Sequence, residues 1–516
     1  MTENSSSRNK IIIAVVTALS LTFIAAVAFI AWCVYNVGQS AATHSSLEDY
    51  ESNYVNGLTV GVSTALFHGQ RHMAAVAQAE TKTVRAIGFL KTNYPAAHKD
   101  LEEAVDAVRN TFGKGAPAVK FFQQFQIIAE DRAEHHQAAE QVAQDLLDEA
   151  LEEKQGADDL VFARLCLAKA KRSNKKPAEA AKLLLVSQES AKVLDEKNAE
   201  KTPARQYAVE QELAYCLAEQ NENDKALAKL QKLLAWNKQF NGGKSSQAQL
   251  LNWLGYCQLK MGKAQEAVAS YNEAITLDPK FQNLYYWRAN CYEQLKQSAQ
   301  ALADYSKALE LDAKDAGCLE ERGNLYLKTG DYKNAALDLN AAVKLAPRDP
   351  DKYRSRAGLH RLEKHYDLVV QDFDQSIRLN KSQPNPFDYI QRAQAKARLS
   401  QESAALADCD QAIKLMPLLD TSYLAKADIL MKFKKTDQAL KVINQCLTSE
   451  LYRTPPAQGW SEAAGGPDYA FVLRKRAAIL DSLGRSKEAA KDRQEATKVS
   501  KSADIQPFNA KYLFTD

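Results

Sequence analysis

Hydrophobic residues are distributed along this chain in two ways. From Ile11 to Val37 they run almost without interruption: no Asp, Glu, Lys or Arg occurs there, and Thr17, Ser20, Thr22 and Asn36 are the few polar residues. A helix needs ~20 apolar residues to cross the hydrocarbon core, so this stretch predicts a transmembrane helix over 11–37, with length to spare for tilt. Trp32 and Tyr35 fall near its end, where amphipathic rings favour the membrane interface. A cleavable signal peptide ending near Ser40-Ala41-Ala42 is the alternative, but signal h-regions run only ~7–15 residues. Beyond this segment the apolar residues recur at helical spacing instead. Amphipathic helices are predicted near 58–92, 96–112 and 117–155, broken at Tyr94-Pro95 and between Gly113 and Pro117. Residues 38–160 thus read as a helical juxtamembrane region: a stalk, a small helical domain or a set of degenerate repeats.

In the second half the pattern acquires a period. Gly255, Ala289, Gly323, Ala357, Ala393 and Ala427 follow one another at steps of 34, 34, 34, 36 and 34 residues. Two more columns of mostly small residues keep the same step: Ala267, Ala301, Ala335, Val369, Ala405, Ala439, and Ala274, Ala308, Ala342, Ser376, Ala412, Cys446. Large residues share the phase at Leu251, Tyr285, Leu319, Tyr353, Tyr389 and Tyr423, and Pro279, Pro347 and Pro417 close three of the units. Each unit predicts two helices of about a dozen residues joined by a tight turn, for which Gly262, Gly330 and Gly484 are natural left-handed caps. Small residues mark where paired helices come closest, and large ones fill the adjoining holes. Neither helix can bury its apolar stripe alone, so the units must stack into one continuous core.

Leu254-Gly255, Ala267, Tyr271, Ala274 and Pro279, with the segment Ala308-Leu309-Glu310-Leu311-Asp312, resemble tetratricopeptide (TPR) repeats. Six good units cover 248–453. Looser units are marked by Ala168 and Ala180, by Ala214 and Ala226 (both within 161–247), and by Ala477, Ala489 and Ala496 at 470–500, where Arg493 suits a terminal cap. The expected fold is all-α: a TPR α-solenoid, a right-handed superhelix of helix-turn-helix repeats, preceded by the transmembrane helix and the juxtamembrane region. Thr454–Tyr469, with Pro455-Pro456 and Gly465-Gly466-Pro467, reads as a loop, and 501–516 as a tail.

Charge sets the expected topology. Arg8 and Lys10 precede the apolar segment, whereas no Lys or Arg follows from Gly38 until Arg71. The positive-inside rule keeps residues 1–10 in the cytoplasm and exports the remainder as a single-pass membrane protein. The cysteines pull the other way. Cys33 aside, they are scattered singly at 166, 216, 257, 291, 318, 409 and 446, as expected of buried small hydrophobes, and free thiols fit a reducing compartment better. Cytosol-facing repeats therefore remain the alternative.

Composition narrows the chemistry. Gly and Pro number 20 and 14 in 516 residues, about 7% against an average of ~12%, which favours helices over sandwiches, barrels or disorder. The net charge of +3 lacks the positive excess that nucleic-acid binding requires. Asn241-Gly242-Gly243-Lys244-Ser245 lacks the upstream glycine and strand of a phosphate loop and is expected to be an inter-repeat loop, with Ser245 or Ser246 capping the next helix. His68 with His72, and His135 with His136, lack a third ligand. No cofactor, metal or catalytic group is expected, and the chain does not read as an enzyme.

The TPR resemblance implies a peptide-binding inner surface lined by the first helix of each unit. At the corresponding places stand Asn252, Tyr256, Tyr286, Asn290, Glu293, Glu320, Asn324, Arg354 and Arg361. Asn can offer donor and acceptor to an extended backbone, and the arginines can pair with an acidic group. Heat-shock chaperone C-termini are disfavoured. Where the carboxylate-clamp members carry Lys, Asn and Arg, this chain offers Tyr286 with Asn290, Glu321, then Asp351 with Ser355. The expected function is a membrane-anchored scaffold that binds a protein or peptide in its concave groove, with envelope or membrane complex assembly as its setting. The alternative is a membrane receptor or sensor whose 38–160 region binds a ligand.

Overall fold

The computed structural model describes residues 94–114, 116–197, 204–240, 242–448 and 469–502, with parts of a helix between 75 and 86. The predicted transmembrane helix, its flanking charges, His68 and His72 lie outside the described residues, as does the expected loop except for Tyr469. Among the described residues every regular element is an α-helix, and none is long and apolar enough to cross a membrane.

The chain divides into two compact units, one through Ala313 and one from Lys314. The first contains α1 (Tyr94–Phe112), α2 (Pro117–Arg132), α3 (His136–Glu152), α4 (Ala157–Ser173), α5 (Pro177–Lys197), α6 (Ala204–Glu219), α7 (Asn223–Gln239), α8 (Lys244–Lys260), α9 (Ala264–Leu277), α10 (Gln282–Gln294) and α11 (Ser298–Leu311). The second contains α12 (Ala316–Thr329), α13 (Tyr332–Leu345), α14 (Pro350–Leu362), α15 (Tyr366–Leu379), α16 (Pro386–Arg398), α17 (Glu402–Leu415), α18 (Asp420–Lys432), α19 (Thr436–Thr448), α20 (Tyr469–Ser482) and α21 (Ser486–Ser502). Within each unit successive helices pack as hairpins, and the first helix of one hairpin also touches the first helix of the next, as α8 touches α10 and α16 touches α18. That is the stacking of an α-solenoid.

The periodic columns are the core of this stack. Ala267, Ala274, Ala301, Ala308, Ala335, Ala342, Ala405, Ala412 and Ala439 are fully buried, as are Tyr271 and Tyr305, the largest such side chains. Gly255 is needed for closeness: a Cβ there would stand 2.7 Å from the Tyr271 ring. The tyrosine and proline columns touch each other. Tyr285, Tyr353 and Tyr423 each donate a hydroxyl hydrogen bond of 3.1 Å to the carbonyl of Pro279, Pro347 or Pro417, six residues back.

Three expectations change. The helix predicted over 117–155 breaks between α2 and α3, where Glu134 adopts φ 65°. The α2–α3 hairpin packs on α4 as the later hairpins pack on their successors. The left-handed turn is not confined to glycine: besides Gly262, Gly330 and Gly484 it is taken by Lys175, Asn221, Lys296, Lys364, Ser400 and Lys434. Ser245 and Ser246 do not cap α8, whose N-cap is Gly243 without a side-chain bond. The Ser246 hydroxyl lies instead 3.2 Å from the Tyr207 hydroxyl and 3.3 Å from Asn237 Nδ2.

One buried ion pair recurs with the repeat. Arg288–Asp304, Arg322–Asp338, Arg356–Asp372, Arg392–Asp408 and Arg476–Asp492 are all bidentate and all 16 residues apart, joining the two helices of one hairpin. In four of them the remaining arginine nitrogen reaches back to the preceding hairpin, at Asn272, Asn340, Asp374 or Asn444. Each planar guanidinium thereby fixes its own hairpin, and these four also fix the neighbouring one, a geometry that a lysine cannot reproduce. The 36-residue step is absorbed outside this lock, in the connection 380–385 between α15 and α16.

Candidate protein-interaction surface

The first helices α6, α8 and α10 touch in succession, so side chains on their shared face meet from hairpin to hairpin. Aromatic rings fill much of this face. Tyr215 stacks on Trp253 at 4.7 Å between centroids, Trp253 meets Tyr256 edge-on at 5.6 Å, and Tyr256 meets Trp287 edge-on at 5.1 Å. Trp287 then meets Tyr286 at 5.2 Å, and Tyr286 meets Tyr305 at 5.9 Å. Arg172 from α4 covers the Tyr215 and Trp253 rings at 5.6 and 5.9 Å, while Lys260 lies 5.3 Å from the Tyr256 centroid. Trp253, Tyr256, Tyr286 and Trp287 are only half-buried, so this ladder presents π faces and edges toward solvent. Such rings bind apolar and amphipathic groups through large area with specific geometry.

The predicted inner-surface residues fall into two sets by what they touch. Asn252 and Tyr256 lie within the aromatic face of α8, and Asn252 keeps a buried Oδ1 without a hydrogen-bond partner. Burial raises the Tyr256 hydroxyl above its ordinary range. On α10, Tyr286 belongs to the ladder, whereas Asn290 donates its Nδ2–H to the Tyr286 carbonyl at 2.9 Å, one turn back. Glu293 accepts the hydroxyl of buried Tyr305 at 2.8 Å and so helps to hold α11.

In unit two the corresponding residues are engaged by side chains of neighbouring first helices. Glu320 of α12 accepts from Lys352 Nζ of α14 at 2.6 Å and also from the Ser355 hydroxyl. Asn324 lies 3.5 Å from that same hydroxyl. Burial opposes the charge on Lys352, but bonds from Glu320 and Asp349 outweigh it and hold the ammonium above its usual range. Arg354 is bidentate to buried Asp388 at 2.7 and 3.0 Å, and Arg361 reaches Gln391 at 3.5 Å. These groups tie first helix to first helix. Arg354 already has its acidic partner inside the fold.

The ladder's tryptophans, Trp253 and Trp287, were readable in advance: they stand 34 residues apart, one position before the Leu254 and Arg288 column. Tyr215 and Arg172 carry no such signal, because their units are degenerate. The seven described cysteines are all buried and unbridged. Burial pushes the thiols of Cys257, Cys291, Cys409 and Cys446 up to about 12 and that of Cys166 to about 11.

Comparison with known proteins supports the repeat assignment. Family profiles described as TPR repeat and tetratricopeptide repeat match residues 255–296, 283–315, 316–349 and 420–451. The chain therefore carries tetratricopeptide repeats in both units. No curated protein sequence matches it. Similar solved structures include a tetratricopeptide repeat protein from Parabacteroides merdae, with 21% identity and a TM-score of 0.37 over 48% of this chain and 94% of that one. Another is PilW, titled a type IV pilus biogenesis factor, with 15% identity and a TM-score of 0.35 over 43% and 95%. A third is YrrB, titled a TPR protein with an unusual peptide-binding site, with 18% identity and a TM-score of 0.31 over 36% and 95%. Likenesses this low carry no functional argument.

Proposed function

We propose that this protein is a membrane-anchored scaffold that captures an extended peptide segment of a partner protein on the first-helix face of its aromatic hairpins. The observation that carries this reading is the half-buried ladder Trp253–Tyr256–Trp287–Tyr286. An extended peptide supplies what the rings attract, apolar side chains, together with a backbone that can lie along the face. In unit two the matching residues are engaged by side chains of adjacent first helices, so Asn324, Glu320, Arg354 and Arg361 contribute by holding the helices in register, with Arg361 the most available of them.

The anchor reading rests on Ile11–Val37, and the orientation on Arg8 and Lys10. The cysteines no longer weigh against export: buried thiols with raised pKa values present little thiolate to an oxidising compartment. Within 38–160 the described hairpin of α2 and α3 packs on α4 as the later hairpins pack on their successors, which favours the scaffold reading over the sensor. An envelope or membrane assembly is the setting that suits an exported, tethered array.

A peptide library displayed on phage and panned against the full-length protein in detergent tests the reading. Selected peptides are expected to quench tryptophan emission, and Tyr256→Ala with Trp287→Ala should abolish binding while far-UV circular dichroism stays unchanged. Peptides that bind that variant as well as the parent protein would refute the assigned face. A reporter enzyme active only outside the cytoplasm, fused after residue 516, tests orientation.

A further inference from the structure

The turn between α14 and α15 differs from its counterparts at three positions at once. Three residues after the Gly255 column the other well-matched units carry Gln258, Tyr292, Tyr326, Lys396 and Leu430; this one carries His360. Six after it they carry Met261, Leu295, Thr329, Leu399 and Phe433; this one carries Glu363. Eight after it they carry Lys263, Gln297, Asp331, Gln401 and Lys435; this one carries His365. A carboxylate thus stands in a mostly apolar column, flanked by the only imidazoles those two columns hold in these units.

The structure brings the three together. Lys364 adopts φ 62°, so the chain reverses between Glu363 and His365, and the backbone closes with His365 N–H donating to the His360 carbonyl at 2.8 Å. One ligand atom from each of His360, Glu363 and His365 falls within 4.8 Å of the other two. Glu363 Oε2 lies 3.6 Å from His360 Nδ1 and 3.4 Å from His365 Nδ1. Those separations exceed a normal N–H···O hydrogen bond of ~2.7–3.2 Å. They match the ~3.3 Å edge of a tetrahedron built from metal bonds of ~2.0–2.2 Å. His360 Nδ1 is buried and has no hydrogen-bond partner. Its other nitrogen, Nε2, faces Asp372 Oδ2 at 3.8 Å, and Asp372 is itself oriented by the bidentate Arg356. A carboxylate behind a histidine is the usual outer partner of a metal-bound imidazole.

We propose that His360, Glu363 and His365 bind a divalent transition-metal ion, zinc by the chemistry of two imidazoles and one carboxylate. His360 is the fixed ligand, held among packed helices; His365, more than half exposed, swings the remaining distance. Three protein ligands leave the fourth position to water. The site lies on the turn between α14 and α15, involves none of the aromatic-ladder residues, and does not depend on the peptide-binding reading.

Equilibrium dialysis of the untagged full-length chain against zinc chloride tests this, with inductively coupled plasma analysis of bound metal. His365→Ala is the principal variant, because its ring is more than half exposed and makes no cap bond to α15, so the fold should persist by circular dichroism. The parent protein is expected to retain one more zinc than His365→Ala, and the same loss should follow Glu363→Gln. Zinc should raise the melting midpoint of the parent chain and not that of either variant. Equal zinc content in parent and both variants, or none in the parent, would overturn the assignment.

Discussion

Gly255 offers a sharp test of how closely the hairpins are packed. In Gly255→Ala the new methyl carbon would lie 2.7 Å from Tyr271 Cζ and 2.8 Å from Cε2. Carbon atoms in ordinary contact stand ~3.5–4.0 Å apart, so ring or helix must retreat by roughly 1 Å. The ring is fully buried, and relieving such overpacking in a filled core costs ~1–3 kcal/mol. The next repeat carries alanine at this column, Ala289, and tyrosine at the Tyr271 column, Tyr305, both fully buried, so the repeat has a packing that accepts the methyl and α8 and α9 would have to shift toward it. Alanine also recovers ~1 kcal/mol of helix propensity relative to glycine. The net expectation is destabilisation of up to ~2 kcal/mol. Gly358 on α14 is the control: its Cβ would meet nothing nearer than Leu327 Cδ1 at 4.0 Å, so Gly358→Ala should stabilise by ~0.5–1 kcal/mol. The propensity gain is common to both variants, and the gap between them isolates the steric cost. Thermal unfolding followed by far-UV circular dichroism reads it, at about 2–4 °C per kcal/mol for a cooperative unit of 150–250 residues. If Gly255→Ala melts at or above Gly358→Ala, the close approach is not real.

Other outcomes follow from the same geometry. Lys296→Gly and Lys434→Gly, at φ 59°, should each stabilise by ~0.5–1 kcal/mol through relief of left-handed strain, measured by urea unfolding. Arg288→Ala leaves Asp304 buried without its partner and should cost ~3–5 kcal/mol, whereas Arg288→Leu with Asp304→Leu should recover most of the loss in a double-mutant cycle. Burial opposes the charge of Glu140, but bonds from Lys171, Lys176 and Asn174 outweigh it and hold its carboxyl down at about 2. A depressed carboxyl stabilises above its unfolded pKa, so this contribution should be intact above about pH 4.5 and fade toward pH 2. Glu140→Gln should flatten the melting midpoint across that window. The seven buried cysteines should react with a thiol reagent within minutes in guanidinium and only over hours in native buffer; fast native labelling of Cys257 or Cys291 would contradict their burial.

Much of the fold could be read from the columns because one residue type per position was enough. Small residues at Ala267 or Ala274 and large ones at Tyr271 report close packing directly. What escaped notice needed two residues to be read together. Arg288 and Asp304 each look like surface charge alone; only their constant separation of 16 reveals a buried pair. Lys296 and Lys434 carry no glycine signature, because the hairpin enforces the left-handed turn that the residue itself resists. The inner-surface residues illustrate the same point. Their positions followed from the repeat, but whether Glu320 faces a ligand or Lys352 depends on a partner 32 residues away. The His360–Glu363–His365 cluster was hidden by its three-way split across columns.

Each recurrent arginine finds its carboxylate inside its own hairpin, and four of the five ask of the preceding hairpin only an Asn or Asp oxygen. Both halves of the charge pair are therefore copied or lost together when a repeat is duplicated or deleted. An array built this way can lengthen or shorten over evolutionary time in whole hairpins without stranding a charge in its interior, and each junction so formed is already furnished with its latch.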